Sequence, residues 1–142
     1  MSGPIWVPIR AVIAIHDRQI ARHGGRPGLR DMALLEAGCA RALNLHAYGQ
    51  PSLAEIAAAY AFGIAKAHAF VDGNKRTAAV ACEVFIVLNS GRLHATDPEL
   101  YPQYIGLSEG ALSEADFATW LRAHLVVTRK GKLQEKRAAY RR

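Results

Sequence analysis

Hydrophobic residues recur with a helical period along most of the chain. Pro8 suits the first turn of a helix, where its missing N–H costs little. From Ile9 to about Arg22, apolar residues return every three or four positions and predict a first helix. Residues 23–28 hold three glycines and a proline, which end that helix in a tight loop.

Two more helices follow from caps and apolar residues. Asp31 is a suitable N-cap for a second helix that runs to about Leu43. Ser52 and Glu55 form a capping box, in which each side chain satisfies the other residue's backbone N–H. The box opens an alanine-rich helix over residues 53–69. This helix is apolar nearly all round, which is typical of a helix at the centre of a bundle.

The second half of the chain predicts three further helices. Residues 75–89 are apolar on most faces, and Gly91 supplies a C-terminal stop. Asp97, followed by a proline, starts a helix that ends near Gly110. Ser113 caps a last helix whose apolar residues lie on one stripe.

These signals together predict an all-α protein. Five to seven helices with short connections form a compact bundle, and no segment alternates convincingly between apolar and polar residues. A short flap hairpin around residues 44–51 is the only β-structure that the pattern leaves open. Residues 1–128 contain no linker or repeat, so we expect one domain there, with residues 129–142 as a basic C-terminal tail.

The positive charge of the chain lies in that tail. The net charge is +6, but residues 1–128 contain 11 basic and 11 acidic residues. Residues 129–142 contain seven basic residues and one acidic residue, so the whole excess belongs to them. We expect a solvated tail, and the tail is the one place where we would look for nucleic-acid binding.

Composition favours a soluble protein from a reducing compartment. Hydrophobic residues make up 51% of the chain and charged residues 21%, as in ordinary globular proteins. Cys39 and Cys82 show no CxxC spacing, and we interpret them as small buried hydrophobic residues. The first fifteen residues lack the features of a signal peptide. The longest uncharged apolar run, residues 56–65, is too short to span a membrane. We therefore expect a cytoplasmic protein.

The segment of residues 68–77 gathers much of the polar chemistry of the chain. It reads His-Ala-Phe-Val-Asp-Gly-Asn-Lys-Arg-Thr and lies between two predicted helices. His68 ends the first helix, and a neutral imidazole there can take a proton from a hydroxyl near pH 7. Asp72 lies in the loop, where a carboxylate can hold Mg²⁺ against substrate phosphates.

The residues after Asp72 have the chemistry of an anion site. Gly73 lets the backbone approach a ligand, and Asn74 opens a helix whose N-terminal N–H groups attract negative charge. Lys75 and Arg76 add two full charges. Each residue alone has a structural explanation, as a helix cap, a turn or a solvated charge. Their occurrence together, in this order, predicts a phosphate-handling active site.

Residues 68–76 resemble the signature of the Fic/Doc family, H-x-F-x-(D/E)-(G/A)-N-(G/K)-R. They are most similar to the Doc (death on curing) branch, the toxins of type II toxin–antitoxin systems. The resemblance continues at residues 16–17, 22–25 and 88–91. It covers about residues 5–126 and leaves the basic tail outside.

The resemblance implies a helical fold and an enzyme that transfers part of ATP, with Mg²⁺, to a protein hydroxyl. It makes His68 the base that activates the acceptor hydroxyl and Asp72 the Mg²⁺ ligand. It also implies that Lys75 and Arg76 act at the transferred phosphate. The nucleotide-binding positions that it implies are Gly73, Asn74, Lys75, Arg76, Arg22 and Lys66.

Two positions favour the Doc branch over the AMP-transferring Fic enzymes. Lys75 stands where those enzymes have a second glycine, and Ala79 where they have a second arginine. Lysine is a compact charge suited to a terminal phosphate. The Doc branch is thought to turn the nucleotide end for end and to transfer its γ-phosphate. The resemblance therefore implies a serine/threonine protein kinase that modifies a translation factor, such as elongation factor Tu, and arrests growth.

Two alternatives remain open at this point. The first is an AMP-transferring enzyme of the same fold. The second is a non-catalytic binding module that uses the basic tail on nucleic acid. The intact His68, Asp72 and Asn74 argue against the second, because a decayed site should lose its base or its metal ligand first.

The resemblance also implies a protein partner that restrains the enzyme. Many Fic enzymes inhibit themselves with a helix of the pattern (S/T)-x-x-x-E-(G/N). The only such pair here is Glu109-Gly110, and Ile105 replaces the hydroxyl residue. We therefore expect a separate Phd-like antitoxin. The five histidines outside the motif show no metal-ligand spacing, and we expect them to be structural or exposed: His16, His23, His46, His94 and His124.

Overall fold

In the computed structural model, which describes residues 3–128, the chain forms six α-helices and one pair of short strands. In chain order these are α1 (Ile9–His23), α2 (Met32–Ala47), α3 (Leu53–Ala67), α4 (Asn74–Leu88), β1 (Gly91–Leu93), α5 (Asp97–Glu109), α6 (Glu114–His124) and β2 (Leu125–Val127). The predicted helical bundle is therefore confirmed. None of these helices has both the length and the apolar composition that crossing a lipid bilayer requires. The predicted basic tail, residues 129–142, lies outside the described part of the chain.

Helix α3 lies at the centre of the bundle and contacts α2, α4, α5 and α6. Ten of its fifteen residues are buried, because its alanines present a small apolar surface in nearly every direction. The closest approach is to α2, where Gly38 faces Gly63. A Cβ atom on Gly38 would lie 2.6 Å from the Gly63 carbonyl oxygen. The absence of side chains at this crossing lets the two helix backbones touch.

The predicted helix starts are present at the expected residues. Ser52 and Glu55 form the complete capping box of α3, while Asp31 caps α2 and Ser113 caps α6. For α5 the cap is Thr96, one residue before the predicted start, and it forms a second capping box. These polar caps supply acceptors to backbone N–H groups that have no partner within the helix.

The flap hairpin that the sequence pattern left open around residues 44–51 does not form, so that prediction is wrong. Helix α2 continues through this region to Ala47, and the chain then bends without forming a strand. The two strands of the structure lie elsewhere: β1 and β2 are antiparallel, with Arg92 opposite Val126. Each strand has only three residues, which is too short for an alternating pattern to be visible in the sequence.

Both cysteines are free and buried, as predicted. Burial raises the pKa of the Cys39 thiol to about 11 and that of the Cys82 thiol to about 12. Since the thiolate is the reactive form of cysteine, both side chains serve as small hydrophobic groups of the core.

Candidate active site

The motif histidine ends α3 and begins the active-site loop, which we define as residues 68–73. His68 has a left-handed backbone conformation, with φ of 49°, which costs a non-glycine residue roughly 1–3 kcal/mol. This conformation ends the helix two residues before the predicted limit at Ala69. The His68 side chain is exposed, and the Arg30 guanidinium donates to the His68 carbonyl.

The active-site loop is fastened to the segment that precedes α2. The backbone N–H groups of Arg30 and Asp31 donate to the carbonyl of Ala69, at 2.7 and 3.0 Å. Leu29 and Phe70 form an isolated antiparallel bridge. Phe70 is 2% exposed, so it anchors the loop by packing inward. The loop backbone is thus fixed by contacts that are distant in sequence.

Asn74 uses its side chain to hold the loop together. Its Oδ1 accepts from the Phe70 backbone N–H at 3.0 Å, and its Nδ2 donates to the Phe70 carbonyl at 3.0 Å. Both ends of the amide are therefore engaged within the protein. Asn74 was predicted to contribute to an anion site. Because its side-chain amide bonds to Phe70, that prediction now concerns only its backbone N–H.

The Asp72 carboxylate is exposed and accepts hydrogen bonds from two backbone N–H groups. One oxygen accepts from Arg26 at 3.1 Å and the other from Gly73 at 2.9 Å. These bonds, first that from Arg26, lower the pKa of Asp72 from its ordinary value, and the nearby positive charge of Arg76 adds to the effect. Asp72 is therefore ionised at neutral pH.

Gly25 makes room for that carboxylate. Its φ is 119°, a conformation that favours glycine, and a Cβ atom there would lie 3.0 Å from Asp72 Oδ2. The glycine-rich loop between α1 and α2 thus forms part of the site. It brings a backbone N–H to Asp72 while leaving the carboxylate accessible.

The N-terminus of α4 points free N–H groups at the same region. Its N-cap is Gly73, with φ of 78° and no side-chain hydrogen bond at the cap. The first N–H groups of a helix have no acceptor within it, and the helix dipole makes this end positive. Lys75 is exposed and Arg76 half-buried in this first turn. The arrangement suits a bound anion such as a phosphate.

These groups share one cleft of about 470 Å³. One wall is the loop after α1, the floor is the active-site loop with the start of α4, and Tyr101 of α5 contributes from another element. The residues that line it are His23, Gly24, Gly25, His68, Val71, Asp72, Gly73, Asn74, Lys75, Arg76 and Tyr101. Six of the eight predicted site residues are therefore brought together.

Arg22 and Lys66 do not line this cleft. The Lys66 ammonium donates to the Ser108 carbonyl at 3.3 Å and lies 6.0 Å from the centre of the Phe62 ring, so it is directed towards the end of α5. Arg22 is exposed in the last turn of α1, next to the cleft wall that begins at His23. Roles for these two residues at a bound nucleotide remain predictions.

His16 was predicted, with the other histidines outside the motif, to be structural or exposed, and the structure shows that it contacts the site. It is 1% exposed, and its Nε2 lies 2.8 Å from the backbone carbonyl oxygen of Asp72. Its ring stacks on Phe70, with ring centres 3.8 Å apart and planes at 9°. The usable signal was its place on the buried stripe of α1 after Val12, because a buried polar group needs a partner.

A divalent cation at this site would have one protein carboxylate. Among residues 3–128 no group of three or more His, Cys, Asp or Glu side chains could hold a metal ion. Asp72 fits Mg²⁺ in the other common way, in which one carboxylate and the substrate phosphates share the ion with water. Each Asp72 oxygen accepts one N–H, which leaves further lone pairs free.

A larger groove of about 1030 Å³ lies between the end of α2 and the start of α6. It contains none of the motif residues. Its charged side chains pair with each other, with Arg41 donating to Glu114 and the Arg122 guanidinium lying 3.9 Å from a Glu55 carboxylate oxygen. Paired charges offer little to a phosphate, so the smaller cleft is the candidate active site.

Known proteins resemble this chain over most of its length. Residues 6–86 match the model of the Fic/DOC family. The chain is 36% identical over 112 residues to "Protein kinase doc" of Escherichia phage P1, an alignment that covers 78% of this chain and 88% of the relative. It is 42% identical over 76 residues to "Toxin Doc" of Mycolicibacterium smegmatis, which covers 51% of this chain and 57% of that protein.

Proposed function

The chain belongs to the Fic/DOC family, and from this premise we propose that it is a Doc-type toxin kinase. It transfers the γ-phosphate of ATP to a serine or threonine hydroxyl of a translation factor related to elongation factor Tu. One observation carries the proposal: the exposed His68, the ionised Asp72 and the positive end of α4 share a single cleft. Such an acceptor places the reaction in the cytoplasm.

His68 acts as the general base. Its neutral imidazole takes the proton of the acceptor hydroxyl as the oxygen attacks the γ-phosphorus. A new phosphorus–oxygen bond forms to the acceptor, the bond to the β-phosphate bridging oxygen breaks, and ADP leaves. The exposed position of His68 at the end of α3 supports this role, because the acceptor belongs to another protein and must reach the base.

Asp72 and the first turn of α4 hold the phosphates. Asp72 would hold Mg²⁺, and the ion would offset phosphate charge. The free N–H groups of α4, with Lys75 and Arg76, stabilise the negative charge of the transferring group. Ala79, one turn further along α4, packs against the core and offers no second cation. This supports transfer of a terminal phosphate over transfer of AMP.

A labelling experiment distinguishes the two reactions. The full-length chain is incubated with cell extract and ATP labelled either at the α-phosphate or at the γ-phosphate, with Mg²⁺. We expect protein labelling from the γ-position alone. Labelling from the α-position alone would show that the chain transfers AMP.

The His68→Ala variant shows whether the labelling arises at this site. The base contributes about 10²- to 10⁴-fold to such a reaction, so labelling should fall by that factor. His94→Ala, a change of an exposed histidine before α5, is the matched control and should keep the wild-type rate. Equal rates for wild type and His68→Ala would remove His68 from the mechanism.

We also propose that a Phd-like antitoxin restrains the enzyme. A relative is named a toxin, and α5 ends at Glu109, before Gly110, but has Ile105 where a self-inhibiting helix would need a hydroxyl. The test is co-expression with the small protein encoded beside this chain, with growth and γ-phosphate labelling as readouts. We expect suppression of both; robust activity that no such neighbour suppresses would contradict the proposal.

A further inference from the structure

We propose that His16 is a positioning residue, whose imidazole holds the backbone carbonyl of Asp72 so that the Asp72 carboxylate keeps its orientation in the cleft. The consequence for Mg²⁺ and ATP rests on the proposed function. The positioning itself concerns only contacts within the chain. It therefore has a test of its own.

The hydrogen bond to Asp72 fixes which ring nitrogen carries the proton. His16 Nε2 lies 2.8 Å from the Asp72 carbonyl oxygen, and a carbonyl oxygen can only accept. Nε2 must therefore carry hydrogen, and Nδ1 of a neutral ring does not. Nδ1 has no hydrogen-bond partner within residues 3–128. Asp17 Oδ1 lies 3.5 Å from it.

The ring contacts two residues of the active-site loop and lies close to a third. It stacks on Phe70, donates to Asp72 and lies beneath Gly73, where an added Cβ would come within 3.5 Å of the ring carbon Cδ2. The imidazole is 1% exposed, so it holds the Asp72 carbonyl from the interior of the protein. His16 thus determines the position of the peptide that joins Asp72 to Gly73.

That peptide controls the direction of the carboxylate. Asp72 Oδ1 accepts from the Gly73 N–H, which belongs to the same peptide unit as the carbonyl that His16 holds. If the peptide rotates, the N–H moves with it and the carboxylate loses one of its two supports. Partners that orient a metal ligand typically contribute 10- to 100-fold to metal affinity or activity.

Two substitutions distinguish the role of the His16 N–H donor from that of its aromatic ring. His16→Phe keeps an aromatic ring to stack on Phe70 but has no N–H, whereas His16→Gln keeps an N–H donor of similar reach but has no ring. Val12→Ala is the control for lost packing, since Val12 is fully buried one turn earlier on α1 and has no polar group that could hydrogen-bond to the loop. All are made in the full-length chain.

The first measurement is hydrogen exchange of the Gly73 and Arg26 amides, followed by NMR without ligand. We expect exchange to become at least tenfold faster in His16→Phe and to stay within about threefold of wild type in His16→Gln and Val12→Ala. Unchanged exchange in His16→Phe would overturn the inference. Equally fast exchange in His16→Phe and His16→Gln would also overturn it. The loop would then depend on the aromatic ring of His16 and not on its N–H donor.

The second measurement is calorimetric binding of β,γ-imido-ATP with Mg²⁺ and with EDTA. His16→Phe should lose 10- to 100-fold of the Mg²⁺-dependent affinity and keep the affinity seen in EDTA. If the wild type shows no Mg²⁺-dependent binding and no γ-phosphate transfer, the proposed function fails, while the exchange data still decide the role of His16.

A third measurement needs no variant and so does not depend on the folding of one. The nitrogen-15 chemical shifts of the His16 ring in the wild-type protein report its tautomer. The hydrogen bond to Asp72 requires hydrogen on Nε2. A neutral ring protonated at Nδ1 would overturn the inference.

Discussion

Asp72 and Asn74 lie two residues apart, and their side chains serve different purposes. The Asp72 carboxylate is exposed and supported from behind by backbone N–H groups. The Asn74 amide turns back onto Phe70 and closes the loop. At the scale of single residues, one side chain is free for a ligand because the other is used for structure.

Asn74→Asp tests the structural role of this amide. An aspartate can still accept from the Phe70 N–H, but it cannot donate to the Phe70 carbonyl. Leaving a part-buried carbonyl unpaired costs about 1–3 kcal/mol, so the free energy of unfolding in urea should fall by that amount. Asn44→Asp, at an exposed position near the end of α2, should change it by less than about 0.5 kcal/mol. Equal effects would contradict the role.

The lowered pKa of Asp72 predicts a pH dependence of stability. Its carboxyl is ionised in the folded protein at a pH where it is already protonated in the unfolded chain. The stabilisation is thus present above the ordinary pKa of aspartate and is lost as the pH falls through the lowered value. The Tm of the wild type should therefore drop more steeply below about pH 4 than that of Asp72→Asn. Parallel curves would contradict this.

At the scale of the elements, the contact between α2 and α3 is the tightest constraint on the bundle. Gly38→Ala should improve helix propensity by about 1 kcal/mol, yet its Cβ would collide with the Gly63 carbonyl. Overpacking costs typically 1–3 kcal/mol, and here the obstacle is backbone. We expect net destabilisation, measured by urea unfolding.

The control for this substitution is Gly49→Ala. A Cβ atom at Gly49 would meet only the Leu45 carbonyl oxygen at 3.6 Å, an ordinary contact on an exposed loop. Its effect should stay within about 0.5 kcal/mol. A stabilising Gly38→Ala would show that α2 and α3 can move apart at little cost.

The elements also show what a sequence can predict. The capping box at Ser52 and Glu55 and the cap at Asp31 depend on residues close in sequence, and each was found where expected. The contact of His16 with Asp72 joins residues 56 positions apart and depends on how α1 packs against the loop. The same holds for the pairing of β1 with β2. Such contacts leave no local pattern in the sequence.

At the scale of the whole molecule, the cleft is built from three distant parts of the chain. The glycine-rich loop after α1, the motif between α3 and α4, and Tyr101 of α5 meet around it. Six of the eight predicted residues line one cleft, since they lie within nine positions of the motif. The contacts of Arg26 and Gly25 with Asp72 depend on how α1 packs in the bundle, so the sequence around them does not reveal these contacts.

The left-handed conformation of His68 has an evolutionary consequence. The residue that we propose as the base is exposed and lies at a strained backbone position, so the fold does not need its imidazole and glycine would suit the backbone better. His68→Gly, which removes the imidazole, therefore relieves backbone strain. If the chain poisons its host, resistant descendants can arise by single substitutions here while a normal amount of folded protein persists. Only selection for the activity itself can keep a histidine at residue 68.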